Sequence, residues 1–393
     1  MIVPKGFRFA GLECGLKKRG GRDVGLLVAD APATAAGVFT RNLVKAAPVE
    51  VALTRVRTGV ARAILVNSGC ANACTGEAGL AATLTTTNAI AEALGCPPEQ
   101  VLPASTGVIG EVLRAELILG RVPDLIGGLA SDGYEAFSQA ILTTDRWPKL
   151  AQAAIPGGSG ARVLAMAKGA GMIHPDLSAD GKLHATMLAF AVTDAKCSAA
   201  TLARALERAT DLTFNACSVD GDTSTNDSVF VLASGAAGEA TEQELEAALT
   251  TVFAELAQSI VADGEGSEHL VELKVSGVGT EAEAFKVAKT IATSLLVKTT
   301  IAGCDPNWGR ILAAAGRSGV LFDPNVAQIA INDVVIVERG VGVGSEAEAR
   351  AKEVMKGPKF SIHVRLGAGP GHVRYFMTDL GHQYVDVNAG YRS

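Results

Sequence analysis

The chain has 393 residues, 48% of them hydrophobic and 19% charged, enough apolar side chain to fill a large core without a disulfide framework. A net charge of −6 with 5% aromatic residues leaves neither a basic stripe nor a stacking platform, which argues against nucleic acid as a partner. The opening Met1-Ile2-Val3-Pro4-Lys5-Gly6-Phe7 lacks a basic region followed by an apolar run. No later stretch reads as approaching the roughly 20 apolar residues of a membrane helix, so the expectation is a cytoplasmic protein with no membrane partner.

Short β-branched runs alternate with alanine-rich stretches, which predicts an α/β (α+β) fold of layered sheets covered by helices. In chain order, strands are predicted over Val24–Ala29 and Ala63–Asn67, followed by the Gly-rich stretch Ile155–Ala161, the nearest thing to a hinge though not between domains, and a strand over Val229–Ala233. Thr241 with Glu244 forms a capping-box signature, after which Leu245, Leu249, Val252, Phe253 and Leu256 share one helix face. A strand over Leu270–Val275 precedes a second box, Thr280 with Glu283, whose helix is predicted to run to about Leu296. Single strands are predicted over Ile329–Val337 and Phe360–Leu366. Gly340–Gly344 and Gly367–Gly371 resemble phosphate-cradling loops but lack the strand–glycine–helix order, and are expected to be turns. A nucleotide-binding or purely structural protein is the reading those glycines would support.

The seven cysteines are read mostly as small buried apolar residues. Cys70 and Cys74 are spaced like half of a metal site, but no second Cys or His pair accompanies them, so no metal is expected.

The segment from 168 to 195 carries the chemistry. A polar, glycine-containing loop runs into an apolar, β-prone stretch, with Thr186 at its head and the small Ala185 before it. A hydroxyl so placed can attack the preceding carbonyl; water then opens the ester, and Thr186 becomes a new amino terminus. Its α-amine, with an ordinary pKa of about 7.7 to 8.0, can deprotonate its own hydroxyl, so neither a separate triad nor His184 is required. An Ala-Thr step alone carries little information, since many threonines simply begin strands.

The surrounding blocks carry more. Phe39-Thr40-Arg41-Asn42, Ala46-Ala47-Pro48-Val49, the run from Asn67 to Gly76, Ser105-Thr106-Gly107-Val108-Ile109-Gly110 and Thr143-Thr144-Asp145 come first. They are followed by Lys168-Gly169-Ala170-Gly171-Met172, Ala185-Thr186-Met187-Leu188, the run Asp220–Asp227, Asp305-Pro306-Asn307-Trp308-Gly309-Arg310 and the terminal Asn388–Ser393. In these blocks the chain resembles, end to end, the ornithine acetyltransferase (glutamate N-acetyltransferase) family of arginine biosynthesis.

The resemblance implies a self-cleaving enzyme with N-terminal-nucleophile chemistry, cut between Ala185 and Thr186 into chains 1–185 and 186–393. It implies that Thr186 is the nucleophile and that Thr106 and Gly107 stabilise the oxyanion. Thr143, Lys168, Glu265, Asn388 and Ser393 match substrate-contacting positions. A lysine suits a substrate carboxylate and a glutamate an ammonium, the complement of an amino acid. Taken alone, Lys168 could be a surface lysine beside a glycine turn, and Glu265 could end the preceding helix. Asn388 and Ser393 would read as a frayed tail, but Tyr384, Val385, Val387 and Tyr391 argue that the tail is docked. The Asp305–Arg310 block is read as architectural, with Asn307 or Arg310 bordering the site as the alternative. The link from Pro175 to Thr186 is about seven residues longer than the family pattern.

The implied reaction carries acetyl from N-acetylornithine to glutamate by a ping-pong path, without a cofactor, and with acetyl-CoA as a possible co-substrate. The implied assembly pairs the two chains into a dimer of pairs or larger. The rival is an aminopeptidase or amidohydrolase of similar build whose ester goes to water.

Overall fold

The computed structural model describes residues 1–179 and 187–390. In chain order its elements are β1 (Phe7–Leu12), β2 (Val24–Thr40), α1 (Ala47–Val56), β3 (Val60–Cys70), α2 (Gly76–Leu94), β4 (Val101–Val108), α3 (Ala115–Leu119), α4 (Val122–Gly127) and α5 (Tyr134–Ala140). There follow β5 (Lys149–Ala154), β6 (Arg162–Lys168), β7 (Leu177–Ser178), β8 (Leu188–Thr193), α6 (Ala199–Asp211), β9 (Cys217–Ser218), β10 (Ser228–Ala233) and α7 (Glu242–Ala262). The remainder is β11 (Leu270–Gly277), α8 (Glu281–Ala292), α9 (Leu295–Ala302), α10 (Trp308–Gly316), β12 (Gln328–Ile331), β13 (Val334–Glu338), β14 (Val341–Gly342), α11 (Ser345–Met355), β15 (Lys359–Arg365), β16 (Gly369–Thr378) and α12 (His382–Gly390). Sheets covered by helices are the layered α/β arrangement that the alternating runs predict.

The chain divides into two compact units, one built on Met1–Asn215 with Asp222–Leu256 and one of Ala216–Gly221 with Ala257–Tyr391. The first unit holds a sheet ordered β4-β3-β2-β10-β8-β6-β5, with β1 and β7 also paired to β2. β8 and β10 run parallel at its centre, Ser228 opposite Leu188. Both strands are buried along their whole length, which explains their continuous apolar sequences. On one face Leu188, Phe190 and Val192 join Leu164, Met166, Phe39 and Phe230 in one core. Phe190 stacks on Phe230 at 5.9 Å and Phe39 meets Phe230 edge-on at 5.4 Å. Each such side chain, fully buried, contributes about 1.5–3 kcal/mol.

The second unit holds a sheet ordered β14-β13-β12-β15-β11-β16-β9. α8 packs Val287, Ala288 and Ile291 into the same core as Leu273 and Tyr375. Its capping box is present: Thr280 Oγ1 accepts from Glu283 N–H at 3.2 Å, and Glu283 Oε2 accepts from Thr280 N–H at 2.9 Å.

Several expectations are corrected. The helix from Thr280 stops at Ala292, because Ser294 takes an extended conformation and starts α9 anew. The strand expected over Ile329–Val337 is a hairpin of β12 and β13, turned by the polar pair Asn332-Asp333 with Asn332 at φ +47°. Ile155–Ala161 is no hinge but the closed loop of the β5–β6 hairpin, Ile155 N–H donating to Ala161 at 2.9 Å. Gly369 and Gly371 open β16, where a side chain would strike the backbone of Val278 and Thr280. α7 is, by length and composition, long and apolar enough to cross a membrane, contrary to the sequence reading. Its side chains Leu245, Leu249, Val252, Phe253 and Leu256 are buried, as in a core helix.

Candidate active site

The site begins where β3 and β4 end side by side, with Ser68 opposite Thr106 and Gly69 opposite Gly107. Gly69 has φ +95° and Gly107 φ +132°, conformations that L side chains rarely adopt. A Cβ on Gly107 would come within 2.6 Å of the Cys70 nitrogen. The turn is held from inside. Asn67 Oδ1 accepts from Ser105 Oγ at 2.6 Å, and Asn67 Nδ2 donates to the Cys70 carbonyl at 2.9 Å. Thr106 is buried, and among the described residues its hydroxyl makes no hydrogen bond, so it remains a donor for a ligand oxygen.

Asn226 ties this turn to the centre of the sheet. Its Nδ2 donates to Ala71 at 2.6 Å and to the Ser105 carbonyl at 2.9 Å. Two residues later, Ser228 N–H donates to the Met187 carbonyl at 3.1 Å. One short segment therefore spans from the residue before Thr106 to the residue after Thr186. Between them lies Asp227, fully buried, with neither carboxylate oxygen hydrogen-bonded among the described residues. Burial pushes its carboxyl well above the usual range, and Lys168 only partly offsets this.

Lys168 ends β6 opposite Leu188. It is buried rather than on the surface, with 4% of its side chain exposed, and its ammonium lies 3.9 Å from Asp145 Oδ2. Among the described residues that ammonium donates no hydrogen bond. Asp145 also accepts from Lys149 Nζ at 2.7 Å, Gly169 N–H at 2.6 Å and Thr143 N–H at 3.1 Å. Burial alone would raise its carboxyl, but Lys168, Lys149 and the Gly169 N–H overcome that and bring it down to about 2. Thr143 and Lys168 are thus brought together by one carboxylate.

A second cation approaches from the amino-terminal loop. The buried carboxylate of Asp23 accepts the N–H groups of Cys14, Gly15, Leu16 and Lys17 at 2.6 to 3.1 Å, a nest that fixes the loop. The loop lies against Gly69, where an added Cβ would be 3.2 Å from Lys17 Cγ. Burial lowers the Lys17 ammonium, and both Asp145 and Lys168 act on it electrostatically.

Glu265 and Asn388 belong to the second unit. Glu265 does not end α7, which stops at Ala262; it lies in the turn closed by Ser267 N–H donating to Gly264 at 3.0 Å. Gly266 in that turn, at φ +66°, touches the Tyr384 backbone so closely that no side chain fits. This backbone contact docks α12, not the apolar residues that the sequence suggested, since Val385 and Val387 are exposed. Asn388 Nδ2 caps the Tyr384 carbonyl at 3.1 Å. A cavity of about 600 Å³ beside the turn is lined by Gly266, Glu268, Asp379 and Gln383 among others. The architectural reading of Asp305–Arg310 agrees with the structure: Asn307 Oδ1 caps α10 by accepting Arg310 N–H at 3.2 Å.

His184, Ala185, Thr186, Tyr391 and Ser393 lie outside the described residues. Cys70 and Cys217 are buried, four cysteines are half-buried and Cys74 is exposed. No group of three metal-ligating side chains occurs among the described residues. Sequence reasoning left Lys17, Lys149, Asn226 and Asp227 without roles. Asp145 and Asp227 stood inside quoted blocks, but only the packing shows what they touch.

The pattern of the ArgJ family matches residues 8–393. The arginine biosynthesis bifunctional protein ArgJ of Geobacter sulfurreducens is 45% identical over 397 aligned positions, covering 99% of each chain. This chain belongs to the ArgJ family. The ArgJ protein of Desulfotalea psychrophila is 44% identical over the same share of both chains. Among solved structures, the ornithine acetyltransferase of Mycobacterium tuberculosis complexed with ornithine is similar at 41% identity. It covers 44% of this chain and 94% of its own, with a TM-score of 0.43. Membership in the ArgJ family accounts for the long run of ordered blocks, including those whose side chains build the turn at Gly69 and Gly107.

Proposed function

We propose that this ArgJ-family chain is an acetyltransferase of arginine biosynthesis that moves acetyl from N2-acetyl-L-ornithine to L-glutamate. The observation that supports it best is a buried ammonium, Lys168, whose donors are unspent among the described residues, in the unit that also carries the Thr106 hydroxyl, likewise unbonded among them, and the Gly107 turn. A buried cation without a hydrogen-bonding partner is costly unless a ligand anion completes it.

In this reading Thr186, freed as an amino terminus by cleavage after Ala185, attacks the acetyl carbonyl. The Thr106 hydroxyl and the Gly107 N–H receive the oxyanion. Collapse of that intermediate expels the ornithine α-amine, which takes the proton that the Thr186 hydroxyl gave to its own α-amine. Glutamate then attacks the ester, and N-acetylglutamate leaves with Thr186 restored. Lys168 and Thr143 hold the substrate carboxylate end, and Glu265 pairs with the substrate ammonium, with Asn388 and Ser393 as further contacts. One amide is exchanged for another, so neither ATP nor a cofactor is called for, and acetyl-CoA can enter as a second acetyl donor. The chains 1–185 and 186–393 stay associated, in pairs of pairs, in the cytoplasm.

The test is incubation with N-acetylornithine and glutamate, following ornithine and N-acetylglutamate by mass spectrometry. Equal release of both supports transfer. Free acetate at a rate indifferent to glutamate would instead establish the hydrolase of similar build, which the family membership favours less.

A further inference from the structure

Asp145 stands between two buried lysines and treats them unequally. Its Oδ1 is spent on Lys149 Nζ at 2.7 Å and Gly169 N–H at 2.6 Å, whereas Lys168 Nζ stays 3.9 Å from Oδ2. The side chains of Asp145 and Lys149 are fully buried and Lys168 is 4% exposed. At 3.9 Å an ammonium feels the carboxylate without donating to it. Among the described residues, Asp145 accepts its hydrogen bonds from Lys149, Gly169 and Thr143, while the Lys168 ammonium keeps its donors.

Without Lys149, the best-placed cation to answer Asp145 would be Lys168, which needs to move only about an ångström to reach hydrogen-bonding distance. Its donors would then be spent inside the protein. We propose that Asp145 and Lys149 are positioning residues for acetyl transfer: Asp145 supports the buried charge of Lys168, and Lys149 occupies Asp145 so that the Lys168 ammonium stays open to a substrate carboxylate. The proposal rests on the acetyltransferase reading and deepens it.

The probes are ornithine and 1,4-diaminobutane, its analogue without the carboxylate, titrated calorimetrically into the mature enzyme. Lys149→Met is expected to weaken ornithine binding about tenfold or more, with the diamine changed less than about twofold. In turnover the same variant raises KM for N-acetylornithine by a larger factor than it lowers kcat. Lys149→Met/Asp145→Asn removes the captor along with its guard, so ornithine affinity recovers part of the way relative to Lys149→Met alone, held below wild type by the lost support of Asp145, a non-additivity that a merely structural role does not produce. The double variant carries no unpaired buried charge from this pair and keeps the test readable if a single variant fails to fold. Unchanged ornithine affinity in Lys149→Met, equal losses for both probes, or a double variant no better than Lys149→Met overturns the proposal. A wild-type enzyme that moves no acetyl to glutamate overturns the acetyltransferase reading instead, and the two failures are told apart by the wild-type assay.

Discussion

Gly107 and Gly69 face each other across the β3–β4 ladder with no room for a methyl group between them. The closeness lets the backbone beside Thr106 form an open turn at the end of a parallel pair. Gly107→Ala would force a Cβ to 2.6 Å from the Cys70 nitrogen at φ +132°. The expected result is a loss of about 100-fold or more in kcat, as for loss of an oxyanion donor, and a lower unfolding midpoint in denaturant. A variant with wild-type kcat would show that this turn plays no part in the chemistry.

Thr106 separates binding from chemistry. Because its hydroxyl is unspent in the described structure, Thr106→Val should leave the fold intact while lowering kcat by about 100-fold, with KM changed far less. Steady-state kinetics with both substrates varied reads this directly.

In the proposed mechanism, Thr186→Ala removes the nucleophile of both cleavage and transfer. Intact-mass measurement should find one chain of 393 residues, where the wild type gives two. Splitting of this variant, or retention of activity, contradicts the assignment.

Two buried carboxyls set opposite pH slopes. Burial raises Asp227, so the folded protein holds that proton more tightly than the unfolded chain. The resulting stability is complete below the ordinary carboxylate range and is lost as pH rises toward the folded value. Asp227→Asn should therefore raise the melting temperature relative to wild type near pH 8, with the gap closing toward about pH 4. Asp145, held at about 2 chiefly by Lys168 and Lys149 against the opposing effect of burial, contributes stability that is lost as pH falls from about 4 toward 2. Thermal melts of both proteins across that range, with Asp145→Asn as the control, check both signs.

The nest around Asp23 can be tested independently of catalysis. Four backbone N–H groups converge on this buried carboxylate, and Asp23→Asn replaces an oxygen acceptor with a donor facing them. About 3 kcal/mol of stability should be lost, read as a lower midpoint with an unchanged slope in urea unfolding.

The strand Val229–Ala233 was legible as an unbroken apolar run, and Leu270–Val275 and Phe360–Leu366 by their alternation of apolar with polar or charged residues. Both capping boxes were legible because Thr and Glu three apart satisfy orphan donors within one turn. The break at Thr293-Ser294 was not, since helical periodicity continues across it and only the extended Ser294 divides the helix. β2 extends to Thr40, well past the predicted Ala29, because its later half is defined by pairing with β10 rather than by its own composition. At the site, Thr106, Gly107, Thr143 and Lys168 were recognisable by motif. Asn226 acts through Ala71 and Ser105, far away in the chain, and Asp145 reaches Gly169 and Lys168 as well as the nearby Lys149; outside a helix a spacing of four carries no signal for that pair. The covalent division after Ala185 was expected to be the natural one. The chain passes from one compact unit to the other after Asn215 and after Leu256, because β8 and β10 are claimed by the first sheet.

If the chain is cut after Ala185 as proposed, that placement makes maturation a one-way trade of durability for reactivity. β8 and β10 come from the segment after Ala185 and sit between β2 and β6 from the segment before it. Severing the link leaves the native contacts in place but releases the unfolded fragments from each other, so the denatured state gains the freedom of two independent molecules. An enzyme matured by the proposed cut is then expected to be less stable thermodynamically than its uncut precursor, by a margin that grows on dilution. Its lifetime is set by how slowly two strands can be pulled from the middle of a sheet, which is a barrier and not an equilibrium.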